Sequence, residues 1–196
     1  MAPTYFCRFP GSTSDGSGGS ALSFFTLTMT PTVTIRPIDA GDSIDALTAL
    51  LHRAYAPLGA RGLNYTAVDQ TSDVTRSRIG RGVCLVAVTP DGRLCGTVLY
   101  HRTFKGTISA WLEREDVAFF GQLGVEPGMQ KSGLGARLIE AAETRARHEG
   151  VAEMAVDTAE PATHLVAWYA RLGYRPIETV EWNGKKYRSV VMSKTL

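Results

Sequence analysis

The segment from residue 117 to residue 150 constrains the fold most, because an apolar strand pattern leads through a short loop into an amphipathic helix pattern. The run "VAFFGQLGV" predicts a buried strand, and residues 132–149 predict a helix that Gly150 ends. The loop contains Gly133 and Gly135 and has no acidic residue between 130 and 136. The first N–H groups of a helix lack internal partners, and glycine lets a ligand approach the backbone. The pattern therefore predicts a phosphate-binding loop.

The loop by itself leaves a second interpretation open, which is a tight turn that only packs the helix against the strand. It lacks the G-x-x-x-x-G-K-[ST] pattern of nucleotide hydrolases and the G-x-G-x-x-G pattern of dinucleotide-binding proteins. The absence of both patterns argues against a nucleotide of either class as the ligand.

Apolar periodicity along the chain predicts strands and helices in the order β-α-α-β-β-β-α-β-α-β-β. Mixed elements of this kind imply one sheet covered by helices, so the predicted class is α/β with a mixed sheet. The first helix is expected to be capped by Asp42 or Ser43, and a weaker polar helix is expected at 66–80. Hairpins are expected around Pro-Asp-Gly at 90–92 and, with a two-residue turn, around Asn-Gly at 183–184.

Composition limits the class of protein. The chain has 196 residues, 44% of them hydrophobic, and a net charge of +2, so neither nucleic acid nor a membrane is expected as a partner. Residues 1–31 include a Gly/Ser-rich stretch and are predicted to be a flexible tail, whereas 32–196 are predicted to form a single domain. Cys7, Cys84 and Cys95 lack metal-ligand spacing, which favours reduced thiols, no bound metal and a cytoplasmic location.

Two motifs together resemble a known family. The run 130–135, "QKSGLG", follows "LGVEP" and resembles the Q/R-x-x-G-x-G/A acyl-CoA loop of the GCN5-related N-acetyltransferase (GNAT) family. The run "AWYARLGYRPI" at 167–177 is similar to the later helix of that family, which carries a tyrosine followed by Leu-Gly-Tyr/Phe. The resemblance implies a mostly antiparallel sheet of six to seven strands with about four helices. It also implies that the sheet splays open between the strands at 118–126 and 152–158.

The resemblance further implies that acetyl-CoA is the acyl donor and that the chain is an acyltransferase. Its pantetheine arm is expected to pair with backbone around Leu123 and Val125, and its pyrophosphate to lie on the N–H groups of 131–136. Tyr169 matches the family's tyrosine near the CoA sulfur and is expected to act as general acid. The residues expected to bind the donor are Leu123, Gly124, Val125, Gln130, Lys131, Ser132, Gly133, Leu134, Gly135, Ala136, Ala162 and Tyr169.

The general base is the point at which the chain departs from the family pattern. Several relatives carry a glutamate or histidine on the inward face of the central strand, where Phe119 and Gly121 stand here. Ala162 also replaces the family's usual asparagine. The acids nearest in sequence are more simply solvated loop charges, so water is an alternative base; these acids are Glu113, Glu115, Asp116 and Glu160. His101 and His164 are the two histidines placed to line a pocket, whereas His52 and His148 are expected on helix surfaces.

The acceptor pocket is expected to be built by the least regular segments, which are 59–65, 107–116 and the C-terminal hairpin. Trp111, Trp182 and Tyr187 would form an aromatic wall there, or else pack in the core or against a second subunit. The expected reaction is direct acetyl transfer to a primary amine, most simply that of a small molecule. The alternative is a non-catalytic acyl-CoA-binding or interaction module of the same fold. A homodimer through the edge of the C-terminal hairpin is a further possibility.

Overall fold

The computed structural model describes residues 32–196, in which strands and helices follow the predicted order. The strands are β1 Thr34–Pro37, β2 Val83–Val88, β3 Leu94–His101, β4 Val117–Val125, β5 Glu153–Ala159, β6 Arg175–Val180 and β7 Ser189–Thr195. The helices are α1 Ile44–Gly59, α2 Ser72–Ile79, α3 Leu134–His148 and α4 Thr163–Arg171, with short 3-10 turns at Thr66–Val68 and Pro127–Met129. The predicted α/β class with a mixed sheet is confirmed. The predicted tail, residues 1–31, lies outside the described residues.

The strands form one sheet in the order β1-β2-β3-β4-β5-β7-β6, and β4 and β5 are its only parallel neighbours within residues 32–196. These two strands pair only at their beginnings, where Val117 and Phe119 of β4 lie opposite Glu153 and Ala155 of β5. Beyond Phe119 the two strands separate. The predicted opening in the middle of the sheet is therefore confirmed.

A β-bulge lies on β4 beside this opening. Leu99 of β3 pairs with Gly121, but Thr97 pairs with Gly124, so β4 contains one residue more than β3 over this stretch. Gln122 takes up the difference with a left-handed φ of 48°. Its side-chain Nε2 donates to the buried Oε1 of Gln70 at 3.0 Å. A bulge bends its strand, which is consistent with the departure of β4 from β5.

Helices cover both faces of the sheet because successive strand residues point to opposite sides. Val86 of β2 packs with Leu47 of α1 on one face. Its neighbour Leu85 faces the opposite core, which includes Leu138 of α3 and Tyr169 of α4. Both cores are buried against a shared sheet, so the opening between β4 and β5 is held between the two helical layers.

The predicted helix starts are close to those observed. Ser43 caps α1, since its Oγ accepts a hydrogen bond from the backbone N–H of Ala46 at 3.2 Å. The other candidate, Asp42, is instead paired with Arg36 at 2.6 Å. The helix predicted at 66–80 is shorter than expected, because only Ser72–Ile79 is α-helical and a 3-10 turn precedes it.

The prediction of a two-residue C-terminal hairpin is wrong. The last paired residues are Val180 and Ser189, so residues 181–188 form a longer loop. Asn-Gly at 183–184 still makes a turn, in which Lys185 N–H donates to the Trp182 carbonyl at 3.0 Å. Contacts with the α1–α2 connection hold the loop away from strand pairing, since Asn64 Nδ2 donates to the Gly184 carbonyl at 2.9 Å. The ammonium of Lys185 also donates to the Asn64 carbonyl at 2.8 Å.

Cys84 and Cys95 are buried free thiols, as predicted, and Cys7 lies outside the described residues. Within residues 32–196 no helix has the length and apolar character needed to cross a membrane.

Candidate active site

The separation of β4 from β5 opens two adjoining cavities. The larger cavity, of about 500 Å³, extends from the second half of β4 to the loop before α3 and to α4. The smaller cavity, of about 200 Å³, lies beside the middle of β4 and under the loop 181–188. The same five residues line both cavities and so mark their junction: Tyr55, Tyr65, Leu123, Asp157 and Tyr169.

The loop before α3 presents a row of free backbone amides to the larger cavity. Among the described residues, no acceptor is bonded to the N–H groups of residues 131–136. Lys131 and Gly133 have left-handed φ values of 63° and 85°, which turn the chain sharply into the helix. The first turn of α3 contains no acidic side chain. Free amides at the positive end of a helix dipole are a binding site for a phosphate or diphosphate.

Nine of the twelve residues predicted to bind the donor line the larger cavity: Leu123, Gly124, Val125, Gln130, Lys131, Gly133, Gly135, Ala136 and Tyr169. The other three side chains point elsewhere. Leu134 is buried in the main core, and Ala162 is buried beside Leu63 and Ala159. Ser132 is exposed, and its Oγ donates to the carbonyl of Met129 at 2.7 Å.

The two glycines of the loop have different structural roles. Gly133 needs its left-handed conformation, and a Cβ there would meet nothing within 4 Å. Gly135 lies against α4, where a Cβ would meet the ring of Trp168 at 3.3 Å. Gly135 therefore allows α3 to pack closely against α4, which is the packing role considered for this motif. Gly133 instead allows the turn that leaves the backbone amides without partners.

Tyr169 lies at the junction of the cavities on α4. Its ring packs edge-on against Phe120 and Tyr174, each at a centroid distance of 6.0 Å. Its hydroxyl forms no hydrogen bond with another described residue and so remains available to a ligand. Burial raises the pKa of Tyr169 well above its ordinary value of 10.0, so the phenol keeps its proton at neutral pH.

Asp157 is the functional candidate that sequence reasoning missed. It projects from β5 into the junction, where the indole Nε1 of Trp182 donates to its Oδ2 at 2.9 Å. Burial raises the pKa of Asp157 above its ordinary value of 3.8, although the hydrogen bond from Trp182 acts in the opposite direction. The available signal was a single acid in the otherwise apolar run "MAVDTA".

The acids considered from the sequence lie outside both cavities. Glu115 pairs with Lys105 at 2.7 Å, Asp116 with Arg114, and Glu160 with Arg188. Glu113 accepts the backbone N–H of Thr107 at 2.7 Å. These four acids are therefore loop charges, as the sequence suggests. Asp157 is the carboxylate that lies at the junction of the two cavities.

The two histidines that the sequence leaves as candidates for a pocket both line a cavity, His101 the smaller one and His164 the larger one. Nδ1 of His101 lies 3.2 Å from the Arg81 carbonyl, so it donates there and leaves Nε2 without the proton. Burial lowers the pKa of His101, which keeps the ring neutral. His148 is exposed as expected, but His52 is half-buried, with Nε2 2.8 Å from the Gln70 carbonyl.

The comparison with known families agrees with this geometry. The sequence model described as the acetyltransferase (GNAT) family matches residues 47–174, which is more than half of the chain. The chain belongs to the GNAT acetyltransferase family. Its members are acyl-CoA-dependent N-acetyltransferases, so the acyltransferase class and the use of acetyl-CoA follow from membership. The sequence matches no curated protein significantly.

Solved structures of GNAT proteins share the fold of this chain. The ribosomal-protein-S18-alanine N-acetyltransferase of Escherichia coli is 17% identical, with a TM-score of 0.62 over 84% of this chain and 94% of that one. The IAA acetyltransferase of Bacillus cereus is 18% identical, with a TM-score of 0.59 over 84% and 100%. A GNAT acetyltransferase of Elizabethkingia anophelis with acetyl-CoA bound is 16% identical, with a TM-score of 0.58 over 84% and 98%. At these identities the likeness concerns the fold alone.

The smaller cavity of this GNAT protein has partly aromatic walls. The ring of Tyr65 packs against the tilted ring of Tyr187 at a centroid distance of 5.2 Å and meets Tyr55 edge-on at 5.6 Å. Trp182 and Tyr187 line the cavity, as predicted, but Trp111 does not. Trp111 instead lies under the guanidinium of Arg114, which is 4.1 Å from its ring centroid. At about 200 Å³ the cavity lies below the size of pockets for drug-sized ligands, so it would hold only a smaller organic molecule.

Cations also line the smaller cavity. Arg78 reaches it from α2 and Lys185 from the loop 181–188. Among residues 32–196, no group of three or more His, Cys, Asp or Glu side chains is arranged to hold a metal ion. The smaller cavity of this GNAT protein therefore combines two cations, the carboxyl of Asp157, the neutral ring of His101 and aromatic walls.

Proposed function

We propose that the protein transfers an acetyl group from acetyl-CoA directly to the primary amine of a small molecule. One observation carries this proposal. The larger cavity, with its free amides, and the smaller cavity, with its polar and aromatic lining, meet at Tyr169 and Asp157. A donor in the first cavity and an acceptor in the second would bring their reacting groups to that junction.

The donor end of the proposal rests on the backbone of the chain. The amides of 131–136 would donate hydrogen bonds to the diphosphate oxygens, and the side of β4 that faces away from β3 would pair with the pantetheine arm near Leu123. The carbonyl of Val125 accepts a hydrogen bond from Nε2 of Gln130 at 3.2 Å. Gln130 therefore supports the end of β4 beside the amides rather than acting only as a ligand contact.

The acceptor amine must lose a proton to react. An amine with a pKa of about 10.4 is neutral in roughly one molecule in 2,500 at pH 7. We propose that Asp157 takes one proton from the ammonium, so that the neutral amine can attack the thioester carbon. As the carbon–nitrogen bond forms and the carbon–sulfur bond breaks, the second N–H proton leaves to water. A carboxyl whose pKa is raised by burial accepts a proton more readily than an ordinary aspartate.

The departing CoA thiolate needs stabilisation, which we assign to the Tyr169 hydroxyl. The raised pKa of this phenol makes complete transfer of its proton to a thiolate unfavourable, because an ordinary thiol has a pKa of about 8.5. Tyr169 therefore acts mainly as a hydrogen-bond donor, and the thiolate takes its proton from solvent. This role refines the general acid expected from the sequence.

Thermal unfolding tests the donor site directly. We would measure it with acetyl-CoA, CoA, NADH and ATP in parallel. A ligand at 100 times its dissociation constant stabilises the folded state by about 2.7 kcal/mol, a rise in Tm of about 5–11 °C for a chain of this size. A rise with both CoA species alone supports the donor site, and its absence contradicts it. A rise without thiol release for any amine would favour the non-catalytic acyl-CoA-binding module.

A further inference from the structure

Arg78 is a half-buried cation without an acidic partner among the described residues. Its Nε has almost no exposed surface and no hydrogen-bond partner there. Every salt bridge formed within residues 32–196 involves other cations. Burial lowers the pKa of Arg78, which records the cost of keeping this guanidinium out of water. A buried charge of this kind is normally paired, so the missing partner points to a ligand.

Lys185 places a second cation in the same cavity. Its ammonium donates to the Asn64 carbonyl at 2.8 Å and to Thr66 Oγ1 at 3.0 Å. An ammonium carries three donors, so one remains for the cavity. The contacts with Asn64 and Thr66 fix the position of Lys185, although both come from neutral groups. Two cations that are held in place without a carboxylate contact create a positive field in a small, partly apolar space.

Asp157 is the one carboxyl that lines the smaller cavity with these cations. It lies beyond the 4 Å range of a salt bridge to either of them, and its hydrogen bond comes from Trp182. Asp157 also lines the larger cavity, whereas Arg78 lines only the smaller one. The negative group therefore lies at the junction with the donor site, and Arg78 lies on the acceptor side.

We propose that the acceptor is a small amino acid or a close analogue, whose carboxylate binds Arg78 while its amine faces Asp157. The planar fork of a guanidinium matches a carboxylate with two parallel hydrogen bonds, and Lys185 adds a third contact. A cavity of about 200 Å³ holds a molecule of this size. The aromatic rings of Tyr65 and Tyr187 would contact its side chain. This inference rests on the proposed acetyltransferase function and names the substrate class of the same site.

Binding of product forms tests the proposal without requiring turnover. The protein would first be saturated with CoA, and the rise in Tm that CoA causes would report on the donor site. N-acetyl amino acids and the matching N-acetyl amines without the carboxylate would then be titrated, for example N-acetylphenylalanine and N-acetylphenethylamine. We expect the carboxylate member of each pair to bind about 10- to 100-fold more tightly, since hydrogen bonds to charged groups are worth that difference.

Variants on α2 provide the matched control. Arg78→Gln should reduce the preference for the carboxylate to about two- to fivefold, the part that Lys185 supplies, and Arg78→Lys should retain more of it. Arg76→Gln should keep the full preference, because the exposed Arg76 pairs with Asp73 at 2.7 Å and lies outside the cavity. Folded variants are identified by retention of the CoA shift.

The outcomes separate the two proposals. Failure of the wild-type protein to bind CoA would overturn both the acetyltransferase function and this inference. If the protein binds CoA but binds both members of each pair equally tightly, or binds neither, the amino-acid inference is overturned and the acetyltransferase proposal is not. An Arg78→Gln variant that keeps the carboxylate preference but shifts the pH dependence of turnover would identify Arg78 as a counter-charge for Asp157, and would also overturn it.

Discussion

The indole N–H of Trp182 donates a hydrogen bond to Oδ2 of Asp157 at 2.9 Å, which joins the loop 181–188 to β5 inside the smaller cavity. A hydrogen bond to a carboxylate favours its charged form, so Trp182 partly offsets the effect of burial on Asp157. The loop 181–188, which replaces the predicted two-residue turn, therefore also influences the pKa of the proposed base, Asp157.

Replacement of Trp182 by phenylalanine should move the acid limb of kcat/KM to higher pH. Trp182→Phe keeps an aromatic ring but removes the donor, so the pKa of Asp157 should rise further. Trp111→Phe is the control, because the Trp111 N–H is buried without a described partner and lies outside both cavities. The pH–rate profile of each variant measures the shift. Equal profiles for wild type and Trp182→Phe would exclude Asp157 as the titrating base.

Removal of the Asp157 charge should change the pH dependence of stability. Between the ordinary pKa of 3.8 and its raised folded value, the folded protein binds more protons at Asp157 than the unfolded chain. The contribution of Asp157 to stability therefore falls as pH rises through this window. The Asp157→Asn variant lacks this pH-dependent contribution. The unfolding free energy of the variant minus that of the wild type should therefore increase as pH rises.

Urea unfolding of both proteins at several pH values, starting near the ordinary aspartate pKa and rising to neutrality, measures this difference. Carboxylates with a lowered pKa, such as Glu153 and Asp42, lose stability as pH falls in both proteins and cancel in the comparison. A difference that stays constant or decreases with pH would mean that the pKa of Asp157 is not raised.

Loss of the Tyr169 hydroxyl should slow turnover without weakening donor binding. Tyr169→Phe is expected to reduce kcat by about 100- to 1,000-fold, the usual cost of removing one hydrogen-bond donor to a developing negative charge. Tyr100→Phe serves as the control, since it removes a buried hydroxyl that donates to Glu149 at 2.8 Å outside both cavities. Initial rates and acetyl-CoA titrations separate the two effects. Unchanged turnover in Tyr169→Phe would remove Tyr169 from the mechanism.

The two left-handed glycines at the ends of α3 form a natural pair of test sites. Gly133 has a φ of 85° and Gly150 a φ of 69°, and a Cβ at either meets nothing within 4 Å. Alanine at each should cost about 1–2 kcal/mol of stability through backbone strain. Only Gly133→Ala should also weaken acetyl-CoA binding, measured by calorimetry, because it disturbs the amides of 131–136. Equal donor affinity in both variants would show that these amides do not bind the donor.

The phosphate loop and the order of elements could be predicted because their signals are local. Gly133 and Gly135 lie beside the helix that they begin, and the strand before them is continuous in sequence. The Asn-Gly turn was also predicted, but the hairpin around it was not formed. Hydrogen bonds between Asn64 and the loop 181–188 override the local preference for strand pairing, and they join segments more than a hundred residues apart.

The acceptor side of the site depends on such long-range placement. Asp157, Arg78 and Trp182 come from β5, α2 and the C-terminal loop, and periodicity gives no indication that they meet. The family pattern places the base on the central strand, whereas Asp157 lies on the neighbouring strand β5. An acid within an apolar strand is a sequence signal of its own, since a charged side chain is rarely buried without a functional or structural partner.

Acetyl transfer itself is tested most directly by the rate of thiol release from acetyl-CoA with paired acceptors, together with the mass of the acceptor. The account predicts that phenylalanine or a similar amino acid gains one acetyl group with release of one CoA thiol. It also predicts that Asp157→Asn lowers this rate by about 100- to 10,000-fold while acetyl-CoA still binds. A wild-type protein that binds acetyl-CoA but acetylates no amine would contradict the proposed function.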